Sequence, residues 1–132
     1  MLTSVGRRSF LGILAALPAA LAWKGAARAA DVEVQIDEFW VAGYQFHDGP
    51  SVQYELAPGV ELQPRREPDN PHDAWAIGLW LGDVMIGYVP RRANRVPARM
   101  VDGGLDLRYR VLSVQPEAEP WLRVRVGEYL AR

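Results

Sequence analysis

Between Arg65 and Asp73 the chain places two arginines, three carboxylates, an amide and an imidazole in the run Arg65-Arg66-Glu67-Pro68-Asp69-Asn70-Pro71-His72-Asp73. Donors, acceptors and positive charge at this density suit recognition of a polar ligand. Other chemistries are short of parts. There is no cysteine, which excludes thiolate metal sites, catalytic thiols and disulfides. The one lysine is Lys24, so beyond it there is neither a Schiff-base lysine nor a Walker-type phosphate lysine. Ser51 and Ser113 lack a nucleophile-elbow setting. Each histidine precedes an aspartate, His47-Asp48 and His72-Asp73. His47, His72 and Asp73 would therefore be the candidates for a zinc or other metal site. The two histidines match no ligand spacing, and no metal or cofactor is expected. A metal-dependent hydrolase of phosphate or acid-anhydride bonds would need clustered carboxylates. Glu67, Asp69 and Asp73 are close in sequence, but prolines interleave them.

Charge divides the chain in two. The residues up to Ala29 hold Arg7, Arg8, Lys24 and Arg28 and no acid, whereas the remainder holds 11 arginines against 16 acids. That net negative segment argues against a protein that coats DNA generally. Gly6-Arg7-Arg8-Ser9-Phe10-Leu11-Gly12, an uncharged stretch from Phe10 to Trp23, and Ala27-Arg28-Ala29 resemble a twin-arginine signal peptide over 1–29, cleaved after Ala29. Gly6 departs from that pattern, where serine or threonine is common. The uncharged stretch is shorter than the roughly 20 residues that span a bilayer, so it reads as a signal core rather than an anchor. The resemblance implies export of a folded protein to the periplasm or the medium, with no membrane anchor after cleavage. Residues 30–132 fit a single small domain, expected to be a monomer.

The elements that must hold these groups follow from periodicity. Val32, Val34 and Ile36, then Phe39 and Val41, predict one long first strand, bent along its course. Turns fall at His47-Asp48-Gly49-Pro50 and Ala57-Pro58-Gly59, with a short strand over Val60–Gln63 and a loop from Arg65 to Asp73. Ala74–Leu81 and Val84–Val89 flank Gly82-Asp83 as a β-hairpin. Asn94 is placed to cap a short helix with Val96, Met100 and Val101 inward and Gly103-Gly104 at its end. Pro97 falls in the first turn, where its missing N–H has no intrahelical partner. Alternation of Leu105, Leu107, Tyr109 and Val111, and of Leu122, Val124 and Val126, predicts two half-buried strands. The expected fold is mainly β (α+β): a small OB-like β-barrel of about five to seven strands with one short helix.

The run Arg66-Glu67-Pro68-Asp69-Asn70-Pro71-His72-Asp73, then Ala76-Ile77, Ile86-Gly87-Tyr88-Val89-Pro90-Arg91 and Asn94, resembles the HIRAN domain family across Val34 to Val126. The resemblance implies an OB-like barrel with a small helix, and capture of a single-stranded DNA 3′ end. It carries site roles to Asn70, His72, Asp73, Tyr88 and Arg91, and more loosely to Phe46. Two positions depart from the family: His72 stands where an aromatic can stack on a base, and Trp75 where asparagine is common.

A free 3′ end offers a hydroxyl, an unstacked base and phosphates, so its binder needs a carboxylate or amide, an aromatic face and arginines together. Asp73 can accept from the hydroxyl and Asn70 can bond a base edge or phosphate. Tyr88 or Phe46 can stack at about 1 to 3 kcal/mol per contact, and Arg66 and Arg91 can hold phosphates. Asn94 and Arg95 complete the candidate set. The same residues have structural uses: Asn70 and Asp73 in Asx turns, Tyr88 in the core or rim, and Arg91, Arg92, Arg95 and Arg99 on a solvated face. The chain thus reads as a non-enzymatic module that binds nucleic acid by a single-stranded end. The alternative is an exported envelope module that binds a peptide, glycan or other anionic ligand.

Overall fold

A computed structural model describes residues 32–132. The signal peptide expected over 1–29, its cleavage and the export it would direct lie outside the described residues. Among the described residues, six strands and one α-helix follow in the order β1 (Glu33–Trp40), β2 (Glu61–Glu67), β3 (Ala76–Leu81), β4 (Val84–Tyr88), α1 (Arg95–Asp102), β5 (Leu107–Val114) and β6 (Val124–Ala131). Every pairing is antiparallel, in the spatial order β1-β6-β5-β2-β3-β4. Short 3-10 turns at Tyr44–Phe46, Gly49–Glu55, Arg91–Ala93 and Pro120–Leu122 join them.

The sheet closes where its outer strands meet. Just beyond β1, Ala42 and Tyr88 of β4 each donate an N–H to the other's carbonyl at 2.9 Å, which curls the sheet into the small OB-like barrel. Gly87 permits that approach. Its φ is +150°, and a Cβ there would lie 2.5 Å from Val41 Cγ1 and 2.6 Å from the Ala42 carbonyl oxygen. Phe39, Val41, Leu62, Ile77, Leu79, Ile86, Tyr109, Val111, Val124 and Val126 fill the interior. Their alternation along the strands is the period-two pattern of a sheet with one buried face.

Four expectations are corrected. A register shift between Gln35 and Asp37 changes the parity of β1, so that Val34 opposite Leu130 and Phe39 opposite Val126 lie on the same face; Val34 and Ile36 are nevertheless exposed, while Phe39 and Val41 are buried. β2 runs on through Pro64, Arg65 and Arg66 to Glu67, which shortens the expected loop. It pairs with β5 only at Glu61 and Leu62 and thereafter with β3 alone, so Pro64 falls where one side of the strand is unpaired. In α1, Pro97 occupies the first turn as expected and is buried with Ala98. Val96, however, is 62% exposed, and the inward face is completed by the half-buried Met100 and Val101. Finally, Leu105 and Leu122 lie outside the strands and are exposed.

Candidate ligand groove

Three stretches converge beside the closure point. The loop 68–75 leaves β2, the end of β4 runs through Val89 and Pro90 into the turn at Arg91, and the segment after β1 brings Ala42 and His47 alongside. Between them lies a groove of about 360 Å³ lined by Ala42, His47, Asn70, His72, Asp73, Tyr88, Val89 and Arg91.

Local hydrogen bonds fix its shape. Asn70 Oδ1 accepts the backbone N–H groups of His72 (2.9 Å) and Asp73 (3.2 Å), an Asx arrangement that turns the loop around Pro71. Asn70 Nδ2 donates to Glu67 Oε1 at 3.0 Å, and the Tyr88 hydroxyl donates to the same oxygen at 2.9 Å. Burial, reinforced by the Glu67 hydrogen bond and charge, pushes the Tyr88 phenol up to about 12, so it stays a proton donor. His47 meets the Tyr88 ring edge-on, with centroids 5.3 Å apart. Asp73 is used on both oxygens. Oδ1 accepts the Trp75 N–H at 2.9 Å, and Oδ2 accepts the Asn94 amide at 2.7 Å with Arg91 Nε at 3.7 Å. Arg91 also donates to the His72 carbonyl at 2.7 Å, yet its side chain is 70% exposed.

The structure therefore gathers Asn70, His72, Asp73, Tyr88 and Arg91 into one groove. Asn94 is buried behind it: its side chain forms no helix cap and instead anchors Asp73. Arg66 is not a groove residue. Its side chain is 10% exposed and is committed to Asp102 Oδ1 (3.0 Å) and to the carbonyls of Ala76 (2.7 Å) and Ala74 (3.0 Å), so it clamps the loop to α1. Arg95 faces a different pocket, and its guanidinium lies 5.5 Å from the Trp75 ring, which Arg99 also approaches at 5.2 Å. Arg65 covers Trp80 at 4.0 Å. Consequently the six arginines at 65, 66, 91, 92, 95 and 99 do not share the groove, where only Arg91 stands. Phe46 is 80% exposed on the turn that leads to His47 and does not line the groove. His47, His72 and Asp73 all do, but among the described residues no group of three or more acids and histidines is placed to hold a metal.

Glu67, weighed in the sequence only among clustered carboxylates, supports the groove from behind, and nothing in its spacing shows that it receives both Asn70 and Tyr88. Its end position on β2, directly opposite Ala76, is a consequence of the strand continuing through Pro64.

Similarity to known proteins agrees with this fold. The fold resembles that of a protein from Lactobacillus plantarum with a TM-score of 0.68 at 24% identity, covering 77% of this chain and 98% of that one. It also resembles the HIRAN domain of human HLTF, with a TM-score of 0.58 at 14% identity over 75% of this chain and 74% of that one. No curated protein matches the chain. The HIRAN domain family matches residues 38–130, which include the closure between Ala42 and Tyr88 and the whole groove, and the chain belongs to that family.

Proposed function

We propose that the groove captures the end of single-stranded nucleic acid, most simply a DNA 3′ end. The convergence of Asn70, His72, Asp73, Tyr88 and Arg91 in one concavity carries this reading, and membership of the HIRAN family supports it. The two Asp73 oxygens each accept one hydrogen bond, with Arg91 as ion-pair partner of Oδ2, and a carboxylate has about four lone-pair sites, so capacity remains for a terminal hydroxyl. Arg91 presents an exposed fork for the adjoining phosphate. His72 and the exposed Phe46 are the surfaces offered to a base. The groove's polar groups are engaged in holding its shape, which suits a binding module rather than an enzyme. With the leader read from the sequence, the module is exported to the periplasm or the medium.

Fluorescence anisotropy of the full chain with a labelled single-stranded oligonucleotide tests this. A free 3′-hydroxyl is expected to bind at least about tenfold more tightly than a 3′-phosphate, the equivalent of one charge-assisted contact. Arg91→Ala is expected to weaken capture without disturbing the fold. Equal affinity for both ends, or no effect of Arg91→Ala, would reject end capture. A second reading is favoured by the net negative charge and the dispersal of the arginines: an envelope module that binds a peptide, glycan or other anionic ligand in the same groove. It predicts no oligonucleotide binding at low or physiological salt.

A further inference from the structure

A second concavity of about 380 Å³ lies apart from the groove, where the start of α1 faces β1 and β6. Ile36, Ala93, Val96, Pro97 and Met100 give it apolar walls, and Asp37 and Glu128 give it two carboxylates. Asp37 and Glu128 are direct partners across the β1–β6 ladder. Glu128 is 2% exposed. The Tyr109 hydroxyl from β5 donates to its Oε2 at 2.6 Å, and among the described residues Oε1 has no hydrogen-bond partner. Oε1 is not among the buried polar atoms left without a partner, so it opens on the cavity, where a donor can reach it. Two positive groups also border the pocket, and neither occupies that oxygen. The Arg95 guanidinium is drawn to Trp75, which lies outside the pocket, and Arg92 is exposed in the turn before α1. Ile36 and Val96, large apolar side chains left 40% and 62% exposed, stand among the walls. Their exposure matches a surface meant to be covered.

We propose that this pocket is a second ligand site that takes a small organic amine, with its apolar body against Ile36, Val96, Pro97 and Met100 and its ammonium on Glu128 Oε1 and Asp37. Alternating apolar walls with a few convergent polar groups are the usual make-up of a small-molecule site. Burial, with Asp37 adding to it, raises the Glu128 carboxyl to about 7. An ammonium would reverse that effect, so binding should be coupled to loss of the Glu128 proton. The groups that face Glu128 from the surrounding elements are Asp37, Tyr109, Arg92 and Arg95.

Titration of the full chain, followed by methyl and aromatic NMR, provides the test with phenethylamine as probe. Hydrocinnamate and phenethyl alcohol serve as the anionic and neutral controls of similar shape. Saturable shifts at Ile36, Met100 and Tyr109 are expected with the amine and not with either control. The affinity should rise about tenfold per pH unit below about pH 7 and level off above it. Glu128→Gln keeps an acceptor for Tyr109 and removes the charge, and Val96→Trp fills the mouth from an exposed position; each is expected to lower affinity at least about tenfold. Neither variant should change oligonucleotide binding in the groove, so failure here is distinguishable from failure of end capture. Equal binding of the neutral alcohol, shifts that do not saturate, or unchanged affinity in Glu128→Gln would overturn the site.

Discussion

Glu128 shows how one side chain can set the acid–base behaviour of the fold. Its place follows from strand parity: Val124 and Val126 point inward along β6, and two residues later Glu128 must do the same. Burial first, then the neighbouring Asp37, raise its carboxyl from 4.5 to about 7, against the lowering effect of the Tyr109 hydrogen bond. The folded state therefore holds a proton between about pH 4.5 and 7 that the unfolded chain has released. Stability is fully present below the unfolded value and falls as pH rises through that window, by roughly 3 kcal/mol for a shift of this size. Urea denaturation of the wild-type chain at pH 5 and pH 8 is expected to show lower stability at pH 8, and Glu128→Gln should flatten this contribution. Glu33 works in the opposite sense at lower pH. The hydrogen bond from Arg110 holds its carboxyl below the usual range despite desolvation, so its contribution fades as pH falls through the folded value. At the groove, Asp73 has a similar double use. Because it receives Trp75 and Asn94, Asp73→Ala should loosen the loop as well as weaken capture, which makes Arg91→Ala the cleaner probe.

Among the elements, the closure between the segment after β1 and the end of β4 governs whether the groove exists. Tyr88 contributes its backbone to the barrel seam and its ring and hydroxyl to the groove, so seam and site are one construction. Gly87→Ala would place a methyl 2.5 Å from Val41 and impose a φ that alanine seldom adopts. The expected loss is about 2–4 kcal/mol by thermal or urea denaturation, with weaker oligonucleotide binding in parallel. A stability within experimental error of the wild type would show that the seam can part without cost. These element-level relations also show what could be read in advance. The hairpin around Gly82-Asp83, the helix that tolerates Pro97, and the strands carrying Tyr109 and Val126 obey local periodicity and turn chemistry, so they were legible. The change of parity in β1, from Val34 and Ile36 to Phe39 and Val41, was legible as a bend, but the position of the bulge was not, because it is set by pairing with β6. That Arg66 and Asn94 bond within the chain was not legible for a related reason: their partners, Asp102 and Asp73, are 36 and 21 residues away. Polarity marks a residue as able to bond, but only the fold decides whether it bonds a ligand or its own chain.

For the whole molecule, the question is how a net negative chain can engage a polyanion. Residues after Ala29 carry 16 acids against 11 arginines, and many of those arginines are already matched within the fold. Arg66 pairs with Asp102, Arg110 with Glu33 and Glu61, and Arg125 with Glu38. Arg65, Arg95 and Arg99 cover tryptophan faces. A protein built this way cannot draw its affinity from a broad release of counterions, so any capture must come from the shape of one end and the charge of Arg91. The salt dependence is therefore expected to be shallow, with about one or two phosphates engaged and a log–log slope of roughly −0.7 to −1.4 for a single strand. Raising salt from about 50 to 200 mM should then reduce affinity only about three- to sevenfold. In Arg91→Ala the remaining dependence should nearly vanish while the preference for a free 3′-hydroxyl survives in part. A slope several times steeper would mean that phosphates are held across a surface well beyond the groove, with the exposed Arg92 and its neighbours recruited to it.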